Sequence, residues 1–86
     1  MSERSVMEAR MIGVLESAVG WLPEEQLADM ASLVDAGESI IAFENFCAQV
    51  YEYDVVVPEA TLNELREIAA MMNVPFPAYL ERSGHA

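Results

Sequence analysis

The 86-residue chain has no lysine, and its only bases are Arg4, Arg10, Arg66 and Arg82, against fifteen acids. The formal net charge is −11. Phosphate contacts need a basic face, so this balance argues against nucleic acid as a partner. It argues against an anionic membrane surface for the same reason. A single cysteine, Cys47, leaves no internal disulfide; within its apolar run it reads as a small buried hydrophobe, and a reducing compartment fits. The one histidine, His85, sits in a tail expected to fray. With no second histidine or cysteine near it, no zinc site is legible. The acids never form the alternating, glycine-containing loop of a calcium hand, and no glycine-rich phosphate loop occurs. Carboxylate pairs can be drawn from fifteen acids by chance, which is too unspecific to name a catalytic acid and base. No apolar run approaches a membrane span, and the opening MSERSVMEAR is charged rather than signal-like. The expectation is a cytoplasmic, non-enzymatic protein without cofactor or metal.

What is present is apolar material at helical spacing. At 53% hydrophobic residues the chain can build a modest core, and its length predicts one domain over 1–86. The periodicity predicts an all-α bundle of four helices plus a short C-terminal one. The first helix is expected from about Ser5 to Trp21, with Met7, Met11, Leu15, Ala18 and Leu22 inward and Ile12 and Val19 beside them. Pro23-Glu24-Glu25 restarts the chain as a second helix to about Ala36, with Leu27, Met30, Ala31 and Val34 inward. Gly37 stops it in a left-handed conformation. The third helix is expected from Glu38 to about Tyr53, with Ile40, Phe43, Cys47 and Val50 inward and Phe46 and Tyr51 flanking. Val55-Val56-Val57 reads as an extended connection. Pro58-Glu59 opens the fourth helix, with Leu62, Leu65, Ala69 and Met72 inward and Ile68 alongside. Thr61-x-x-Glu64 is an alternative, later start of capping-box type. Asn73 is a natural stop before Val74-Pro75, and a last turn over 77–82 docks Tyr79 and Leu80.

The segment Gly37–Asp54, GESIIAFENFCAQVYEYD, carries the functional signal. Between Arg10 and Arg66 lie eleven carboxylates and no base. A one-signed surface without chemistry points to a protein that binds something positive. Glu38, Asn45, Gln49 and Glu52 share the wet face of the third helix. Tyr53 and Asp54 close it as an aromatic–acidic end of the kind that anchors interfaces. These six residues are the expected partner-binding set. Tyr51 reads instead as a core tyrosine. Glu44, at the margin of the inner stripe, is expected to be tied to a backbone end or to an arginine such as Arg10 or Arg66.

Gly37-Glu38, Ile41-Ala42-Phe43-Glu44-Asn45-Phe46-Cys47 and Tyr51-Glu52-Tyr53-Asp54 together resemble the MafI-type immunity proteins of bacterial polymorphic-toxin systems. Phe43 and Phe46 stand where leucine is commoner in that pattern. The likeness spans residues 27 to 80, and the first helix fits by pattern only. It implies a cytoplasmic protein that neutralises the C-terminal domain of a cognate contact-delivered or secreted toxin, with an EndoU-like ribonuclease or another nuclease among the targets. A nuclease has a basic cleft, which an acidic inhibitor matches. A second resemblance is to acyl carrier proteins, which are acidic, four-helical and of similar size. Glu38-Ser39-Ile40 would stand for their Asp-Ser-Leu motif, with phosphopantetheine on Ser39. A structural or adaptor module without a toxin partner is the third reading.

Overall fold

Pro23 and Pro58 open helices, and Gly37, Asp54 and Asn73 close them. A computed structural model of the chain describes residues 5–83, without the side chains of Arg82 and Ser83; the tail position His85 lies outside the described residues. The elements are α1 (Val6–Ser17), α2 (Glu24–Asp35), α3 (Ser39–Glu52), α4 (Glu59–Met72) and α5 (Ala78–Ser83). The fold is all-α, with no strand among the described residues.

Each boundary has a local cause. Ser5 caps α1 through a capping box. Its hydroxyl accepts from the Glu8 N–H at 3.1 Å, and the Glu8 carboxylate accepts from the Ser5 N–H at 2.9 Å. Pro23 and Pro58 are the residues just before α2 and α4, and Glu24 and Glu59 place negative charge in the first turns. The later start suggested by Thr61 and Glu64 does not occur. Its glutamate serves α1 instead, as described below.

Three helices end in the same way. Gly37 (φ 82°), Asp54 (φ 59°) and Asn73 (φ 58°) take left-handed backbone conformations. The next N–H in each case reaches back five residues. Glu38 donates to the Leu33 carbonyl at 2.7 Å, Val55 to Val50 at 2.9 Å, and Val74 to Ala69 at 3.0 Å. These Schellman closures satisfy carbonyls that the helix ends would leave unpaired. Glycine and asparagine suit the left-handed position; aspartate at 54 is the unusual occupant.

Packing follows from the short connections. The turn at 36–38 folds α2 back against α3 as a helical hairpin, and this is the most extensive helix–helix contact. α1 packs on α2 and α3 and receives α4, while α5 returns to α3. The core is built from Met11, Met30, Phe43, Phe46, Leu62, Leu65, Ile68 and Leu80, each under 2% exposed. Leu80 confirms that the tail docks. Val57 is buried while Val56 is 67% exposed, so the valine run is a connection with one inward anchor.

Several expectations need correction. α1 ends at Ser17, earlier than Trp21, because Gly20 adopts φ 96° and turns the chain there. Val19 therefore projects outward at 64% exposure. In α3 the buried arc is Ser39, Ala42, Phe43, Phe46, Cys47 and Val50, whereas Ile40 is 44% and Tyr51 53% exposed. α2 is the main neighbour of α3, and Ser39 at its start lies beside Met7 of α1 and Met72 of α4. Met7 and Met72, expected inward, are only half-buried at the rim.

Candidate functional site

The positive charges whose side chains are described all belong to the α4 side of the molecule. Arg10, from α1, makes a forked contact with Glu64: its Nε donates to Oε2 at 2.7 Å and its Nη2 to Oε1 at 2.6 Å. The same Nη2 also meets Glu67 at 2.7 Å. Arg66 donates to Glu59 at 3.1 Å and to Glu81 at 2.9 Å. A planar guanidinium suits such shared carboxylate contacts. Each arginine is thus held by two acids of α4 and α5. Neither is available elsewhere.

The α2–α3 hairpin is the opposite case. Glu24, Glu25, Asp29, Glu38, Glu44, Glu52 and Asp54 lie on these helices or at their ends, all exposed, with no arginine in the same stretch. The negative charge that looks uniform along the sequence is segregated in space. Around α4 two arginines offset part of the charge of four acids, whereas those seven hairpin carboxylates meet no described arginine. Charge concentrated in this way steers a cationic partner.

Five of the six residues expected to bind a partner, Glu38, Asn45, Glu52, Tyr53 and Asp54, are exposed. Glu38, Asn45 and Glu52 recur at seven-residue intervals, so they stack on one face of α3, and Ile41, 44% exposed, shares that face. Gln49 differs. It is half-buried, and its side-chain carbonyl is buried and accepts no hydrogen bond within the described protein. Gln26 of α2 has a buried carbonyl in the same condition. The Gln26 amide donates weakly, at 3.4 Å, to the hydroxyl of Tyr53, one turn after Gln49. The seam between α2 and the end of α3 therefore holds two acceptors that still lack a donor, and a buried acceptor left so costs about 1–3 kcal/mol. Gln26 was not legible as a site residue, because only the hairpin register brings it to Tyr53.

Glu44 is not where the sequence placed it. It is exposed and does not meet Arg10 or Arg66, both of which are held by other acids. Turning the buried arc toward Ser39 moves Glu44 away from the core margin. It still acts at a distance. Burial pushes the Cys47 thiol up to about 12, and the charge of Glu44 adds to that shift. Tyr51 packs on the tail instead of the core, its ring centroid 4.8 Å from that of Tyr79.

Ser39 opens α3 but is 5% exposed, and its buried hydroxyl has no hydrogen-bond partner in the described protein. Among the described residues no group of three or more side chains is arranged to hold a metal ion. Likewise, no described helix is long and apolar enough to cross a membrane. No family model, curated protein or solved structure matches the chain. The family likeness thus rests on the helix motif alone.

Proposed function

We propose that this chain is a non-enzymatic immunity protein that binds a basic bacterial toxin domain, in first place a nuclease, through the acidic α2–α3 hairpin. One observation carries the reading: the described arginines are held by α4 and α5 acids, while Glu24, Glu25, Asp29, Glu38, Glu44, Glu52 and Asp54 of the hairpin are exposed and meet no described arginine. An inhibitor of a nuclease needs a surface that competes with a polyanion for a cationic cleft, and such a surface is negative. Tyr53, half exposed beside Glu52 and Asp54, gives that surface a central aromatic anchor. A standard interface takes roughly 20–30 residues a side, so a one-to-one complex would engage both helices of the hairpin. The protein would act in the cytoplasm of the cell it protects.

The carrier reading is less well supported. A phosphopantetheine arm requires an accessible serine hydroxyl, and that of Ser39 is buried. Intact-mass measurement after co-expression with a phosphopantetheinyl transferase separates the two readings. An unmodified Ser39 is expected, and a full adduct would replace the immunity reading with the carrier one. The direct test of immunity is protection. Cells expressing the cognate toxin domain, to be sought first in the gene immediately upstream, should survive when they also express this chain. Protection should fail when Glu38, Glu52 and Asp54 are together changed to Lys. Survival that is indifferent to this triple change, with the variant present at wild-type levels, would move the interface elsewhere.

A further inference from the structure

A groove of about 450 Å³ runs between α3 and the segment that joins α4 to α5, lined by Phe43, Glu44, Val74, Phe76, Pro77 and Tyr79 among others. We propose that it receives a basic, apolar-flanked segment of the protein partner: a large apolar side chain enters the groove, and a neighbouring lysine or arginine meets Glu44. The inference rests on the reading of the partner as a basic protein, and it adds a second contact on the other flank of α3.

The groove is apolar over most of its wall, and among the described residues that line it Glu44 is the only charged one. That carboxylate has no ion pair or hydrogen bond within the described protein. An apolar ligand alone would cover Glu44 without a counter-charge, which is unfavourable. An anionic ligand would be repelled. A segment that pairs an apolar group with a cation satisfies both surfaces. Arg66 cannot supply the cation from within, since Glu59 and Glu81 hold it. Its guanidinium lies 5.3 Å from the Phe76 ring centroid, so one aromatic of this segment already associates with a cation. The phenol of Tyr79 is held above its usual range by burial first, and the carboxylates of Glu44 and Glu52 add to the shift. The local field is therefore negative on a largely apolar surface. Ile40 and Tyr51, exposed one turn before and two turns after Glu44, extend the apolar border along α3. The exposed arc of α3 connects this flank to Asn45 and Glu52, so one partner lying along the helix reaches both.

The test is a titration of the isotopically labelled full chain with acetyl-Phe-Arg-amide, followed by amide chemical shifts. Shifts should concentrate at Glu44, Val74, Phe76 and Tyr79. Acetyl-Ala-Arg-amide and acetyl-Phe-Glu-amide should bind more weakly, since each lacks one half of the match. Glu44→Gln should weaken acetyl-Phe-Arg-amide about twofold to fivefold, the range of an exposed ion pair. Glu44→Lys should weaken it about tenfold, as attraction becomes repulsion. Shifts confined to the α2 side of the hairpin, or equal binding by wild type and Glu44→Lys, would overturn the proposal. A second arm separates it from the immunity reading. If a toxin domain binds Glu44→Lys as tightly as wild type, the groove is overturned and immunity stands. If the peptide binds with the expected Glu44 dependence but no toxin domain binds the chain, the groove stands and immunity falls.

Discussion

Replacing Asp54 by glycine should stabilise the fold while removing a residue of the proposed interface. Two features of the structure set the size of the gain. Asp54 occupies a left-handed position, φ 59°, inside the Schellman closure of α3. For an L-residue that conformation costs on the order of 1–2 kcal/mol, and less for aspartate than for most. Asp54 also places a negative charge at a helix C-terminus whose last turn contains no base. That end of the dipole disfavours negative charge by about 0.3–1 kcal/mol. Against these gains, glycine adds freedom to the unfolded chain, about 0.4–1 kcal/mol. The net expectation is stabilisation near 1 kcal/mol, a rise in melting temperature of roughly 4–8 °C for a domain of this size. Asp54→Asn separates the two causes. It keeps a side chain tolerant of the left-handed region and removes only the charge, so its gain should be the smaller and should shrink as salt is added. Circular dichroism melts of the three proteins at low and high ionic strength decide the matter. A melting temperature for Asp54→Gly at or below wild type would refute the reasoning, because it would mean that the aspartate supports the closure it occupies. A stabilised Asp54→Gly that binds its partner more weakly is the pattern expected where a binding surface holds residues that the fold alone would not choose.

Two further expectations concern the core and the acid limb. Phe43→Ala removes a side chain that is 1% exposed and should cost about 3–5 kcal/mol, whereas Ile40→Ala, at a 44% exposed position, should stay within about 0.5 kcal/mol; thermal melts that rank them the other way would mean that the phase of α3 is wrong. The forked contact with Arg10 holds the Glu64 carboxyl below its ordinary 4.5, so its contribution is present above that pH and is lost as pH falls through the lowered value. The stability gap between wild type and Glu64→Gln should therefore be full above about pH 4.5 and close below it; a gap independent of pH would show that the ionised pair is not its source.

The helices were legible because their punctuation is local. Pro23, Gly37, Pro58 and Asn73 act through their own backbone preferences, and each divides the chain where expected. The inward faces of α2 and α4 were legible for a similar reason, since each has one apolar stripe and a polar remainder. α3 was harder. Ile40, Ile41, Phe43, Phe46 and Tyr51 surround most of its circumference with apolar groups, so periodicity alone admits more than one phase. Packing against the other helices, α2 above all, selects the phase that buries Ser39 and exposes Ile40 and Tyr51. The wet face of α3 was placed correctly except for Gln49, which is half-buried, yet the property that distinguishes the hairpin is non-local. It depends on Arg10 crossing from α1 to Glu64 and on Arg66 reaching Glu81, contacts between residues 54 and 15 positions apart. Glu44 was misassigned for the same reason: which acids the two arginines choose is decided by how α1 and α5 meet α4.

The measurement that bears most directly on the central claim is the association rate with the cognate toxin domain that the proposal requires, by stopped flow across a salt series. If the acidic hairpin meets a basic surface, the wild-type rate should reach about 10⁸–10⁹ M⁻¹s⁻¹ at low salt and fall steeply as salt rises. Changing Glu38, Glu52 and Asp54 together to Lys should slow association and flatten its salt dependence, while Tyr53→Ala should instead speed dissociation. A wild-type rate indifferent to salt would contradict the account.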